Sequence, residues 1–230
     1  MSKAATQPSA RAKRAPLAAY PAKSLLDRAY NEIKFRIITC RYRPGEVLSE
    51  AAISMELKIG RTPVHQAIHH LTMDGLVSIM PRKGVMVRAV SIDEAMEIIG
   101  VRLVTECYCA RLAADRADDT DLQQLQDIVE SSEKATEKRN IEQMMLLDRE
   151  FHDILARAAK NAVLADVLRN LHERSLRFWF ISLRDPDHHR NVLAQHRAII
   201  KALQSRQPEA AESAMRDHIV AFQRNVTRQV

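Results

Sequence analysis

The chain has 230 residues, enough for one or two domains that each bury their own core. Its composition, 46% hydrophobic and 28% charged, is that of a soluble globular protein. No apolar run approaches the ~20 residues that a membrane span needs, and the first residues lack the apolar stretch of a secretory signal. Five glycines and 4% aromatics argue against an all-β chain. The three cysteines, Cys40, Cys107 and Cys109, are odd in number and form no C-x-x-C pair. They are expected to be free, buried thiols of a reducing compartment. A cytoplasmic, mainly helical protein is therefore expected.

The net charge of +6 conceals a division: residues 1–90 carry +9 and residues 91–230 carry −3. A basic module joined to a near-neutral one suggests a nucleic-acid binder fused to a second unit. A basic surface that only aids solubility would give the same totals, so local pattern has to decide.

In chain order, residues 1–22 are rich in Ala, Pro, Ser and Lys/Arg and predict a disordered basic arm. Helical spacing of Leu25, Leu26, Ala29, Ile33 and Ile37 predicts a helix from about Ser24 to Cys40. Arg43-Pro44-Gly45 breaks the chain, and Ser49 caps a short helix from Glu50 to about Leu57. After the turn Lys58-Ile59-Gly60, a third helix runs from Arg61 to about Asp74, with Pro63 tolerated in its first turn. Val77–Met80 and Val85–Arg88 are β-like runs joined by Pro81-Arg82-Lys83-Gly84, a hairpin with a basic tip. Residues 23–90 thus predict one winged helix-turn-helix domain.

Beyond Val90, start signals at Ser91-x-x-Glu94, Thr120-x-x-Gln123, Asn140-x-x-Gln143, Asn161, Asp187 and Pro208 predict six helices. Their expected spans are 92–116, 121–138, 141–159, 162–183, 188–205 and 208–228, within a second domain covering residues 91–230. The predicted fold class is mainly α, a winged helix-turn-helix followed by an antiparallel six-helix bundle.

On the third helix, Val64, Ala67, Ile68 and Leu71 form a core stripe. Arg61, Thr62, His65, Gln66 and His69 share the opposite arc, the placement of a recognition helix in a DNA groove. Arg82 and Lys83 at the hairpin tip would reach phosphates or a minor groove. A solvated polar face would account for any one of these residues, but less well for their coincidence with the charge division.

The ordered set from Tyr30 through Pro44-Gly45, Leu48-Ser49-Glu50, Arg61-Thr62-Pro63-Val64 and Asp74-Gly75-Leu76-Val77 to Arg82-Lys83-Gly84-Val85 resembles the winged helix of GntR-type bacterial regulators. The resemblance implies that Arg61-Thr62-Pro63-Val64 opens the recognition helix and that Gly84 lets the wing backbone approach DNA. His65 and Gln66 stand where that family usually has Arg and Glu, and Gly60 where a capping Ser is usual. A different operator from the family's common one is therefore expected.

Four polar residues interrupt apolar stripes in the second domain. Asp148 and His152, four apart on one helix, replace apolar residues in a stripe with Met144, Met145, Phe151 and Leu155. His196 and His218 do the same on the last two helices. One divalent cation would satisfy all four, and one carboxylate with three imidazoles suits zinc, with nickel or manganese as alternatives. A metal-free Asp–His network is the competing account. A hydrolase that activates water on such a site is the rival function. His172 is read as flanking its stripe, and His188 and His189 as solvated. Phe178-Trp179-Phe180 is read as core or pocket wall.

Residues 91–228 resemble the FCD ligand domain of the FadR-like branch, in its six-helix, VanR-like form. Asp148-x-x-x-His152, His196 and His218 match that domain's metal pattern. The resemblance implies a small organic acid bound beside the metal, with Arg102, paired in sequence with Glu106, contacting its carboxylate. It implies a homodimeric regulator on a pseudo-palindromic operator. The alternative for Arg102 is a structural ion pair with Glu106.

Overall fold

A computed structural model describes residues 24–89, 91–182 and 186–228. The basic arm expected over residues 1–22 lies outside them.

The amino-terminal unit runs α1 (Leu25–Ile38), β1 (Val47–Leu48), α2 (Glu50–Leu57), α3 (Arg61–Met73), β2 (Val77–Met80) and β3 (Gly84–Val87). Ser24 and Ser49 cap α1 and α2, their hydroxyls accepting from the backbone N–H of Asp27 and Ala52 at 3.0 and 3.1 Å. A left-handed Lys58 (φ 54°) ends α2 and turns the chain into α3. Ile33, Ile37, Ile53, Leu57, Ile68 and Leu71 meet the inward residues Val77, Val85 and Val87 of the sheet in one core.

The predicted hairpin is present, but the strand order is β1-β3-β2, all antiparallel, so the wing has a third strand. Val47 pairs with Met86 and Leu48 with Val85. Two residues are too few to show the period-two alternation that marks a strand in sequence. This strand explains Gly84, whose φ is +116° and whose added Cβ would meet the Leu48 carbonyl oxygen at 2.4 Å. The wing's own packing therefore demands glycine there, independently of any approach to DNA.

The second unit, among the described residues, comprises α4 (Ile92–Arg116), α5 (Asp119–Glu137), α6 (Ile141–Ala158), α7 (Ala162–Ser182), α8 (Pro186–Gln204) and α9 (Pro208–Arg228). The long α4 packs most extensively on α9 and also touches α6, α7 and α8. Its buried Ala110, Ala113 and Ala114 keep those approaches close. The expected caps at Ser91, Asn140 and Asn161 form, each side chain accepting from the N–H three residues on. Thr120 does not cap α5. Asp118 does, in a reciprocal capping box with Asp121, because a carboxylate complements the helix N-terminus more strongly than a hydroxyl. The helix α8 starts at Pro186, two residues before its expected start.

All three cysteines are free. Cys107 and Cys109 are buried, and burial pushes the Cys109 thiol up to about 12, so it stays protonated. Cys40 is only half-buried, contrary to expectation, because it lies in the left-handed turn (φ 55°) that ends α1 rather than in a core.

The two units meet where α1 rests on α7. The buried Lys34 ammonium pairs with Glu173, and Arg177 donates to the carbonyl of Arg88 at 2.6 Å. Arg41 pairs with Glu142 at 2.6 Å.

Gly84→Ala should destabilise the wing by about 2 kcal/mol or more, because both the dihedral and the space forbid a Cβ. Gly45→Ala is the control: Gly45 also has positive φ (+80°) but meets nothing within 4 Å. It should cost about 1 kcal/mol, and denaturant unfolding of the full chain measures both.

Candidate metal centre and nucleic-acid interface

The apolar stripes of α6, α8 and α9 converge, and the polar residues that interrupt them converge with them. Asp148, His152, His196 and His218 each bring one ligand atom within 4.8 Å of all the others. Nε2 of His218 faces Nε2 of His152 at 3.2 Å, and Nε2 of His196 lies 3.5 Å from Oδ1 of Asp148. The three imidazoles are buried, and Phe151 stacks flat on His196 at 3.8 Å.

Oδ1 of Asp148 and Nε2 of His196 are buried and make no hydrogen bond. Two orphaned atoms side by side cost several kcal/mol unless something joins them. Burial pushes the Asp148 carboxyl up to about 6, against the pull of His152 and Arg102. Burial also holds His196 and His218 well below the usual imidazole range, with neighbouring histidines adding to it. Both are therefore neutral at pH 7 and offer lone pairs. One carboxylate oxygen and three neutral imidazole nitrogens fit a borderline divalent cation.

The surroundings orient these side chains. Oε2 of Glu106 lies 2.8 Å from Nδ1 of His152, and Oε1 of Gln195 lies 3.0 Å from Nδ1 of His218. An acceptor at Nδ1 fixes the tautomer that leaves Nε2 free to ligate. Burial opposes ionisation of Glu106, but Arg102, His172 and His152 together hold its carboxyl well below the usual range. The Arg102–Glu106 ion pair is formed, Nε donating to Oε1 at 2.5 Å. The Arg102 guanidinium also lies over the Phe222 ring at 5.3 Å.

Three histidines sit differently from expectation. His172 is buried, 3.0 Å from Oε1 of Glu106, and with Glu106 and His152 forms a second close group. The sequence signal existed: buried Leu168, Leu171, His172, Ser175, Leu176 and Trp179 share one helical face of α7. His188 and His189 are buried rather than solvated, because α8 begins earlier and carries them inward. The His188 ring meets Trp179 edge-on at 5.0 Å. Phe178 and Trp179 are core residues, as expected.

Arg102, Arg149, His172 and Trp179 line a cavity beside the four-residue cluster. Its volume is about 10 Å³, room for one water and no more.

In the amino-terminal unit, the stripe Val64, Ala67, Ile68 and Leu71 is fully buried, which turns Arg61, Thr62, His65 and Gln66 outward. Arg82 and Lys83 are exposed at the wing tip, with Arg82 left-handed (φ 64°). Gly60 supplies no side-chain cap, so the first N–H groups of α3 lack a side-chain acceptor from the N-cap residue.

Comparison with known proteins agrees with this two-part layout. Residues 25–87 match the model of bacterial regulatory proteins of the gntR family, and residues 97–221 match that of the FCD domain. The HTH-type transcriptional repressor RspR of Escherichia coli K12 is 29% identical over 206 residues, covering 90% of each chain. The Nta operon transcriptional regulator of Aminobacter aminovorans is 29% identical over 137 residues, 60% of this chain and 65% of that one. The solved structure of E. coli McbR/YncC superposes with a TM-score of 0.81 at 21% identity, covering 90% of this chain and 99% of the other. No described helix is long and apolar enough to cross a membrane.

The Asp148 carboxyl takes up a proton near pH 6 in the folded chain and near 3.9 unfolded. Its contribution to the stability of chelator-treated protein therefore falls as pH rises from about 4 to about 6. Asp148→Asn should stabilise chelator-treated protein at pH 7 by about 2 kcal/mol. Thermal unfolding of wild type and variant across that window measures the difference. That difference isolates Asp148 from His196 and His218, whose depressed values pull the other way.

Proposed function

Because the chain belongs to the gntR family and carries an FCD domain, making it a transcriptional regulator rather than an enzyme, we propose how it works. It binds a pseudo-palindromic operator in the cytoplasm as a homodimer. A small organic acid bound beside a divalent metal in the helical domain controls its affinity. The observation that carries the sensing half is the cluster of one carboxylate and three buried imidazoles, in which Oδ1 of Asp148 and Nε2 of His196 lie buried side by side without a hydrogen bond.

In this reading Asp148, His152, His196 and His218 hold the metal, zinc first, with nickel or manganese as alternatives. The ion supplies a fixed positive charge for a carboxylate. Arg102 gives one N–H to Glu106, and its remaining N–H groups contact the acid. Arg61, Thr62, His65 and Gln66 read the groove, while Arg82, Lys83 and the backbone at Gly84 hold the wing on phosphates or in the minor groove. The open first turn of α3 adds N–H donors for a phosphate.

A 10 Å³ cavity is too small for an acid, so part of its wall has to move, and in this reading it is α7, which supplies His172, Ser175, Leu176 and Trp179. That helix carries Glu173, paired with Lys34, and Arg177, bonded to the carbonyl of Arg88. From Lys34 the contacts run through the Tyr30 hydroxyl, 3.1 Å away, to Asp74 at the end of α3, 2.5 Å further. Displacing α7 therefore changes the seat of the recognition helix, and the coupling is reciprocal.

An exposed apolar stripe on α4 supports the dimer: Val101, Val104 and Tyr108 recur at i, i+3 and i+7 on a face that no other helix covers among the described residues. Glu97 precedes the stripe and Arg111 follows it, so an antiparallel second copy sets opposite charges against each other about a two-fold axis through Val104.

Gel shifts with DNA from upstream of the protein's own gene test the whole reading. Wild type should retard that DNA specifically and be released or tightened at least tenfold by one acid of a di- and tricarboxylate panel. Lys34→Met should still bind but lose most of that response, whereas equal responses would refute the Lys34 route. Val104→Glu should be monomeric by light scattering and bind the operator at least about tenfold more weakly, since one half-site is lost.

A further inference from the structure

Of the nine histidines in the chain, His152, His172, His188, His189, His196 and His218 are buried. The other three, His65, His69 and His70, are exposed, and all lie on α3. Two of them face each other: Nε2 of His69 is 3.2 Å from Nε2 of His65, with ring centroids 4.6 Å apart. Behind His65, both carboxylate oxygens of Glu50 lie 3.1 Å from Nδ1.

We propose that α3 carries a surface metal-ion site in which Nε2 of His65 and Nε2 of His69 bind a borderline divalent ion, oriented by Glu50 and independent of the bundle centre. The chemistry follows from the arrangement. Glu50 accepts the proton on Nδ1 of His65, which fixes the tautomer whose Nε2 lone pair points at His69. Without an ion, the Nε2–H of His69 donates to that lone pair. An ion takes both nitrogens once His69 shifts to the tautomer that carries its proton on Nδ1, so that each imidazole stays neutral and presents Nε2. The i,i+4 spacing puts the two imidazoles side by side, and the carboxylate behind His65 is the kind of partner that orients metal-ligating histidines.

The helix is held rigid beneath the pair, since Val64, Ala67, Ile68 and Leu71 are each 0% exposed. The pair is therefore pre-organised rather than gathered by the ion. Two imidazoles suit nickel, copper or zinc, and water fills the remaining positions. The solvent-facing position also separates this site from the bundle centre, whose imidazoles are buried and out of reach of any surface ligand.

Position gives the site a consequence, which rests on the DNA-binding function proposed above. His65 lies on the face that would enter the groove, so a hydrated ion there stands between helix and bases and weakens operator binding.

Untagged full-length protein on an immobilised-nickel column tests the site directly. Wild type should be retained, His69→Gln should flow through, and His70→Gln should be retained like wild type. Titrated with nickel, metal-free wild type should take up one further equivalent beyond what His69→Gln takes up, and Glu50→Gln should weaken that equivalent about tenfold. Equal retention of His69→Gln, or no further equivalent in wild type, overturns the site whatever the DNA assays give. Nickel should also weaken the operator gel shift of wild type and leave that of His69→Gln unmoved. Nickel binding without any effect on the shift would overturn the antagonism alone.

Discussion

The helical domain depends on how an apolar bundle accommodates buried charge. Glu106 and Arg102 lie within the core of α4, a place where an unpaired ion would cost several kcal/mol. Each is offset by the other, and His152 and His172 stand 2.8 and 3.0 Å from the Glu106 carboxylate oxygens. The result is a polar network through the centre of the bundle that fixes ring orientations on α6 and α7. Asp148 and His196 stand at its edge with atoms left unsatisfied, so the network ends in a position that invites a cation.

That network lies close to the seam between the two units. Arg149 follows Asp148 on α6 and lies 3.7 Å from Glu173 of α7, and Glu173 in turn holds Lys34 of α1. The side chains that surround the cluster and those that seat the winged unit thus share one helix. A helix that serves both a cavity wall and an interdomain contact cannot adjust to one without the other, because packed interiors shift as units rather than deform smoothly.

The periodic parts of the fold were legible residue by residue. The spans of α2, α4, β2 and α9 are those expected from apolar spacing and start signals, because caps and amphipathic stripes are local properties. The four polar residues on apolar stripes were legible for the same reason. The β1 strand was not, since two residues carry no pattern and pair only once β3 is in place. Nor was the cap of α5, expected at Thr120, because only the reciprocal bonds between Asp118 and Asp121 fix where the helix begins.

Sequence alone determined which faces of which helices are apolar, where those faces are broken by Asp or His, and that a basic winged unit precedes them. Only the tertiary structure decided what stands opposite each face. It brought Glu106 to His152, drew His172 into the same network and turned His188 and His189 inward. It also gave Gly84 its purpose through a carbonyl thirty-six positions earlier in the chain. The physical reason is that periodicity describes one helix or strand by itself. The partner of a buried polar group is chosen by packing between elements, and no spacing along the chain encodes it.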